Sequence, residues 1–245
     1  MKLYTLGTSH GATEKGRSCS VNLLEVSGSY YLFDCGGDAE AKLTDIGLAG
    51  SVRAIFLSHM HIDHVAGLPA LAKRYLLHYN KQGSHAEVFF PEEEGIEPFL
   101  SWLRATHYSL DRLDSFEMRV IREGEIYRDE NITVTAIRTR HIKDGKIPSF
   151  AFTVEGEGKR FLYTGDLSGS FEDYPEVVFE RDFDLILSEL VHFNVEKNLP
   201  KIRESRTKKL VFTHLGPSKI PTLLEREKDF PFPISVASDG DVFEF

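Results

Sequence analysis

The densest chemistry in the chain lies in Ser58-His59-Met60-His61-Ile62-Asp63-His64, where three imidazoles and a carboxylate fall within one short stretch. Imidazole nitrogen and carboxylate oxygen are donors that suit Zn²⁺ and similar divalent ions. The spacing is not that of helical His-Glu-x-x-His sites, whose histidines lie four apart on one helix face. Residues 52–57, just before the cluster, are apolar and rich in β-formers, so they read as a short buried strand. Donors on a loop at a strand end are firmly presented yet open to solvent. That suits a catalytic ion better than a closed structural one. The competing interpretation is a polar turn with chance histidines, and His-x-His-x-Asp-His behind a strand argues against it.

The elements that must position this loop follow from the hydrophobic pattern. Residues 2–6 are strand-like, and Gly7-Thr8-Ser9-His10-Gly11 is a glycine-rich loop. Residues 21–26 and 30–33 make a hairpin that ends at Asp34-Cys35-Gly36-Gly37, and a helix at 39–46 leads to the strand before the cluster. Helices are expected at 68–77, where Gly67 and Pro69 shape the start, and at 96–105. A strand at 87–90 lies between them. Strands are expected at 116–121, 125–127 and 132–138, a hairpin at 150–154 and 160–163, and a buried strand at 184–187. A helix at 195–204, a strand at 210–213, a helix near 220–228 and strands at 234–237 and 242–245 complete the chain. In 132–138, alternation puts Ala136, Arg138 and Arg140 on one face and Ile137, Thr139 and His141 on the other. The arginines are therefore expected to face solvent and His141 to point inward. Strands and helices alternate in two similar halves with no linker or low-complexity tract. The expectation is one domain, residues 1–245, of α/β class: two mixed sheets face to face with helices on both outer sides.

With 245 residues the chain can bury a large core without disulfide staples. No stretch approaches the roughly 20 apolar residues of a membrane span. The first residues lack the apolar core of a signal peptide. Cys19 and Cys35 give no disulfide framework, so a reducing cytoplasm is the expected setting. The formal charge is −9, and two bound Zn²⁺ would leave the molecule acidic. This weighs against tight binding of a long polyanion, though not against a nucleotide-sized substrate. Lys201, Arg203, Arg206, Lys208 and Lys209 form a basic run that reads as a solvated face. His10 lies in a loop near the cluster without the marks of a ligand. His78, His85 and His107 read as surface or packing residues. In the loop 143–148 a lysine is available to a substrate anion, but a solvated turn is the simpler expectation.

His-x-His-x-Asp-His behind a strand resembles the signature of the metallo-β-lactamase superfamily. That resemblance implies an αβ/βα sandwich with metals at one edge of the sheets, and three further ligands downstream: His141, Asp166 in Thr164-Gly165-Asp166, and His214 in Val211-Phe212-Thr213-His214. The chain also resembles the ribonuclease Z branch along its length. The residues that carry this are Leu6-Gly7-Thr8-Ser9 with Gly11, Arg17 and Ser20, then Asp34-Cys35-Gly36, His61-Ile62-Asp63-His64-Val65-Ala66-Gly67-Leu68-Pro69, Pro148-Ser149-Phe150-Ala151-Phe152 and Ala237-Ser238-Asp239-Gly240. Ribonuclease Z enzymes carry a long glycine-rich arm that clamps the tRNA body, usually between the third-motif His and the bridging Asp. Here a hairpin occupies the short segment between His141 and Asp166. The resemblance therefore points to the smaller relatives that hydrolyse small phosphodiesters, cyclic phosphates included.

The family pattern assigns His59, His61 and His141 to a first metal ion and Asp63, His64 and His214 to a second, with Asp166 bridging. Two divalent ions, Zn²⁺ or alternatively Mn²⁺ or Fe²⁺, can share a hydroxide and lower its pKa toward neutrality. Asp63, His192 and Glu189 are the catalytic candidates. His192 is similarly spaced from His214 to the ribonuclease Z histidine that contacts the scissile phosphate, and Glu189 resembles its acidic partner. His192-Phe193-Asn194 departs from the usual His-Ser-Thr, and a helix-cap His beside a surface Glu is the plain alternative. The leading expectation is a dinuclear metal-dependent phosphodiesterase acting on a small or nucleotide-like substrate. The alternatives are a lactone, thioester or amide hydrolase of the same fold, or a non-catalytic metal-binding sensor. Dimers are common in the branch, so a homodimer is an expected assembly.

Overall fold

A computed structural model of the chain describes residues 1–79 and 85–245. One sheet contains β1 (Lys2–Gly7), β2 (Val21–Val26), β3 (Ser29–Phe33), β4 (Val52–Phe56), β5 (Ala86–Phe90), β6 (Phe116–Val120) and β14 (Asp241–Glu244). The other contains β7 (Gly124–Arg128), β8 (Thr133–Arg138), β9 (Phe150–Gly156), β10 (Lys159–Tyr163), β11 (Leu185–Glu189), β12 (Leu210–Thr213) and β13 (Ile234–Val236). The strand orders are β14-β1-β2-β3-β4-β5-β6 and β13-β12-β11-β10-β9-β8-β7. Each sheet changes character at an inner strand. β14 to β3 pair antiparallel and β3 to β6 parallel. Likewise β7 to β10 are antiparallel and β10 to β13 parallel.

Burial explains the sequence pattern of the strands. Parallel strands covered on both faces need near-continuous apolar runs, and β11 and β12 are buried at every position. Alternate side chains serve different layers. Phe33 and Phe56 point between the sheets, where they meet Phe152 and Phe161, while their neighbours Leu32 and Ile55 point outward. Between the sheets, aromatic rings do most of the filling: Phe33 lies 5.2 Å from Phe56 and 5.8 Å from both Phe152 and Phe161, centroid to centroid. Rings at these separations add directional attraction to the area they remove from water.

Helices close both outer faces. α1 (Ala39–Asp45), α3 (Leu68–Arg74) and α4 (Ile96–Ala105) bury Leu43, Leu71, Phe99 and Leu103 against the first sheet. α5 (Val177–Glu180), α6 (Val195–Arg203) and α7 (Ile220–Glu225) bury Val178, Ile202 and Leu223 against the second. This is the four-layer α/β sandwich expected from the sequence. No helix among the described residues is long and apolar enough to cross a membrane.

Two local expectations need correction, and two short helices went unanticipated. In β8 the inward face is the one that carries Val134 and Ala136, both fully buried between the sheets. Arg138 shares that face and is half-buried, with its guanidinium 5.4 Å from the centre of the Phe150 ring. Arg138 was therefore assigned to the wrong side, while Arg140 is exposed and His141 points inward as expected, because the strand ends at Arg138 and the loop beyond it sets their direction. The helix expected at 68–77 is regular only to Arg74 and continues as a π-helical turn, Tyr75–Tyr79. The single-turn helices α2 (Ile62–Val65) and α5 are too short for a 3.6-residue period to reveal.

Candidate metal centre

The residues singled out in the sequence leave the strands at one edge of the sandwich. β4 delivers His59, His61, Asp63 and His64; β8 delivers His141, β10 delivers Asp166, and β12 delivers His214. Carboxyl ends of strands are where open α/β sheets place ligands. The turn after β10 needs glycine. Gly165 has φ +54°, and a Cβ there would lie 2.6 Å from the Phe150 carbonyl oxygen and 2.9 Å from Ser58 Cβ. His214 itself takes φ +49°, a region that non-glycine residues seldom occupy and that tends to mark functional sites.

Two groups of donors converge. His59, His61, His141 and Asp166 bring ligand atoms within 4.8 Å of one another, and so do Asp63, His64 and His214. In the first group His61 Nδ1 lies 2.9 Å from His59 Nε2 and 3.2 Å from His141 Nε2. Asp166 Oδ2 lies between the groups. It is 3.7 Å from His59 Nε2 and 3.6 Å from His141 Nε2 on one side, and 3.5 Å from His64 Nε2 and 3.4 Å from His214 Nε2 on the other.

This donor set fits a divalent cation. Three imidazole nitrogens facing one point cannot all be satisfied by one another's protons. His64 Nε2 and Asp166 Oδ1 are buried without a hydrogen-bond partner, an arrangement that costs free energy unless something else occupies the space. Burial alone would raise the Asp63 and Asp166 carboxyls, but His64 and His214 beside them hold both well below the usual carboxylate range. Both acids are thus ionised, as ligands must be. Burial, followed by the neighbouring His64, pushes His59 down toward its neutral form.

The outward-facing nitrogens are fixed by a supporting layer. His64 Nδ1 donates to Asp34 Oδ2 at 2.6 Å, and His141 Nδ1 donates to the Leu167 carbonyl at 3.2 Å. Each bond leaves Nε2 free to face the centre. Asp34 is fully buried with φ +61° and also accepts from Ser58 N, Ser58 Oγ and Tyr163 Oη. Sequence reasoning took Asp34 as the end of a hairpin and as part of a segment resembling the ribonuclease Z branch, with no role assigned to its side chain. The available signal was an acid directly after a buried strand with no basic residue close in sequence. Asp63 is steadied by the Gly11 N–H, 2.9 Å from its Oδ2.

His192 stands beside the first group, its ring 4.4 Å from that of His141 and its Nδ1 3.7 Å from Asp166 Oδ2. Nδ1 donates to Glu189 Oε1 at 3.0 Å, and among the described residues Nε2 has no partner. Glu189 is buried and also accepts from the Leu167, Val191 and His192 N–H groups. The helix-cap alternative does not match this geometry, because the cap of α6 is Asn194, which accepts from Lys197 N. Burial would lower the His192 imidazolium, but the bond to Glu189 and its charge outweigh that and raise it above the ordinary histidine value.

The remaining candidates lie elsewhere or play plainer parts. His85 and His107 are exposed, and the side chain of His78 lies outside those described. Cys19 and Cys35 are buried and free. His10 packs its ring near Gly216. In the basic run, Lys201, Arg206 and Lys208 pair with Glu176, Asp182 and Asp184.

Comparison with known proteins agrees with the fold and the motifs. The ribonuclease Z of Shouchella clausii (strain KSM-K16) is 32% identical over 165 residues, covering 65% of this chain and 49% of the relative. The chain thus spans about half the length of the curated relatives it matches. Among solved structures, the metallo-β-lactamase fold protein YhfI from Bacillus subtilis superposes with a TM-score of 0.78 at 21% identity, covering 99% of both chains. The short form of human tRNase Z superposes with a TM-score of 0.76 at 22% identity, covering 100% of this chain and 99% of that one. The profile of the family described as "Anti-Pycsar protein Apyc1" matches residues 1–229. The chain belongs to that family, and it shares the metallo-β-lactamase fold and a sequence likeness to ribonuclease Z.

Proposed function

We propose that the chain, read as one catalytic unit over residues 1–245, is a metal-dependent hydrolase of small phosphodiesters, cyclic phosphates included. One observation carries the reading: donors from both sheets gather into two contiguous groups with Asp166 between them, as two divalent ions would require. His59, His61, His141 and Asp166 would hold one ion. Asp63, His64 and His214, with Asp166 shared, would hold the other. When bound, such ions lower the pKa of a coordinated water toward neutrality and offset charge developing on phosphoryl oxygens.

The protein's own groups supply the rest. Asp34 and the Leu167 carbonyl keep His64 and His141 in the tautomer that presents Nε2. The Gly11 N–H holds Asp63 in place. Glu189 keeps the proton on His192 Nδ1 and favours the imidazolium, the form in which Nε2 also carries a proton. That Nε2–H can donate to a phosphate oxygen or to the leaving oxygen as its bond to phosphorus breaks.

Size and charge of the substrate follow from what surrounds the centre. Between His141 and Asp166 the chain forms only a short 3₁₀ turn (Lys143–Gly145) and the β9–β10 hairpin, in place of a tRNA-clamping arm. The chain is acidic, and Lys201, Arg206 and Lys208 of the basic run are each paired with an acid, which weighs against a broad positive track for a long polyanion among the described residues. The family's description, anti-Pycsar, gives the proposal a direction: the phosphodiester hydrolysed would be one on which Pycsar depends. Cys19 and Cys35, both buried and free, suit a reducing compartment.

The test begins with metal content of the purified protein loaded with Zn²⁺ or Mn²⁺, expected at two ions per chain. Turnover of a bis-aryl phosphodiester and of cyclic nucleotides is then compared with a lactone and thioester panel. Hydrolysis of lactones without any phosphodiester activity would overturn the assignment.

A further inference from the structure

We infer that Asp173 is a positioning residue that locks the loop bearing His141 to the loop bearing Asp166. The inference rests on the proposed metal-binding reading and adds to it a residue outside both donor groups. Asp173 lies far in sequence from His141 but on the same segment as Asp166, and it is 9% exposed. Its Oδ2 accepts from the Arg140 N–H at 2.7 Å and from the Ser168 N–H at 2.9 Å. Its Oδ1 accepts from Ser168 Oγ at 2.7 Å and from the Ser168 N–H at 3.0 Å. Arg140 immediately precedes His141, and Ser168 follows Asp166 by two residues. One carboxylate therefore grips the backbone beside two donors that arrive from different strands.

The alternative, an ordinary surface ion pair, does not describe it. Among the described residues no cation pairs with Asp173. The nearby Arg140 guanidinium turns away, Nη1 to Glu172 Oε2 at 3.2 Å and Nη2 to Asp144 Oδ1 at 3.0 Å. A buried carboxylate held only by N–H and O–H donors is costly to keep unless those donors are well aimed. The local backbone shows why such a fastening is needed. β8 ends at Arg138, Thr139 N–H still reaches the Ser149 carbonyl at 2.8 Å, and Lys143, Asp144 and Gly145 have positive φ, so His141 stands between the strand and a tight turn. The loops are also linked by a 3.4 Å contact of the Thr139 hydroxyl with the Asp166 carbonyl and by the His141 Nδ1 bond to the Leu167 carbonyl. Groups that orient ligands from behind typically change metal affinity 10- to 100-fold when removed.

The expected signature is site-selective. The first group loses the fastening of two donors, His141 and Asp166, while the second loses only that of the shared Asp166 and keeps Asp63 held by Gly11 and His64 held by Asp34. Wild type, Asp173→Asn, Asp173→Ala and the exposed neighbour control Glu172→Gln are stripped of metal and titrated with Zn²⁺ by calorimetry. Unfolding of each apo protein is followed alongside. The lock predicts that Asp173→Ala weakens one of two binding events by 10-fold or more, that Asp173→Asn falls between it and wild type, and that Glu172→Gln changes nothing. Equal loss at both events, or unchanged affinities in a folded variant, overturns it. If wild type takes up no zinc at all, the metal-binding reading fails instead. Should neither variant fold, amide exchange on wild type decides. The Arg140 and Ser168 amides must exchange slowly and at matched rates, and fast exchange at either overturns the lock.

Discussion

The Asp34→Asn variant tests the supporting layer with almost no change of shape. The Asp34 carboxylate receives Ser58 N–H on Oδ1 at 2.7 Å. Its Oδ2 receives His64 Nδ1 at 2.6 Å, Tyr163 Oη at 2.6 Å and Ser58 Oγ at 3.0 Å. A backbone N–H cannot become an acceptor, so the asparagine oxygen must stay on Ser58 and its NH₂ must face His64. The two hydroxyls can rotate to accept. The imidazole can adapt only by moving its proton from Nδ1 to Nε2. Nε2 is the atom that faces Asp63 Oδ2 at 3.3 Å and Asp166 Oδ2 at 3.5 Å, and a protonated nitrogen cannot ligate. Loss of such a supporting contact typically weakens metal binding by about 10- to 100-fold, or about 1.4–2.7 kcal/mol. Charge-assisted hydrogen bonds lost from the apo protein cost about 1.5–3 kcal/mol more in folding. At about 2–4 °C per kcal/mol for a chain of this size, Tm should fall by about 3–12 °C. Competition against a chromophoric chelator reads the affinity, and thermal unfolding of the apo protein reads the fold. A folded Asp34→Asn protein that binds both ions with wild-type affinity would refute the tautomer argument.

Four further outcomes are expected. His192→Ala should lower kcat by about 10²- to 10⁴-fold while metal content stays at the wild-type value; loss of metal in that variant would make His192 a structural residue. Removal of metal by chelation should lower Tm by about 5–11 °C relative to protein held at 100 times the Kd, from about 2.7 kcal/mol of linkage; an unchanged Tm would mean that no ion is held. Gly165→Ala should cost about 2–5 kcal/mol, combining a left-handed backbone with a clash against the Phe150 carbonyl and Ser58, and urea unfolding checks it. Burial would raise the Asp129 carboxyl, but donors from Tyr31, Ile132, Asn131 and Tyr127 outweigh it and hold the pKa below the ordinary value. The stabilisation is therefore present above about pH 4, the unfolded value, and is lost as pH falls through the lower folded value. Asp129→Asn should be less stable than wild type by about 1–3 kcal/mol at neutral pH, with the gap closing below pH 4; a gap independent of pH would remove Asp129 from the account of acid stability.

What was legible in the sequence depended on distance along the chain. His59, His61, Asp63 and His64 are contiguous, so their spacing alone marks a cation site. His141, Asp166 and His214 carry no local signal of membership, since each is a single polar residue after a strand; only the family resemblance linked them. Strands of five or more residues were placed nearly to the residue because two-fold alternation and turn chemistry act locally. Alternation in β8 failed for a physical reason. Arg138 reads as a solvent residue, but its aliphatic stem and guanidinium lie along the Phe150 ring, so charge alone did not reveal the face. Asp34 and Asp173 were missed as working residues because buried acids held by backbone donors need no partner close in sequence.

The architecture explains why the site draws on both ends of the chain. Each donor group mixes the two sheets: His59 and His61 come from the first and His141 and Asp166 from the second, while Asp63 and His64 meet His214 across the same gap. Neither sheet alone holds enough donors at either position. The hydrogen bonds that register the sheets run through the same spot, with Phe150 N–H donating to the Ser58 carbonyl at 2.9 Å and Tyr163 Oη donating to Asp34 at 2.6 Å. Ser58 and Asp34 in turn touch His59 and His64. Docking of the sheets and orientation of the imidazoles are therefore one event, so an apo protein with packed sheets already presents the donors and needs little rearrangement to take up metal.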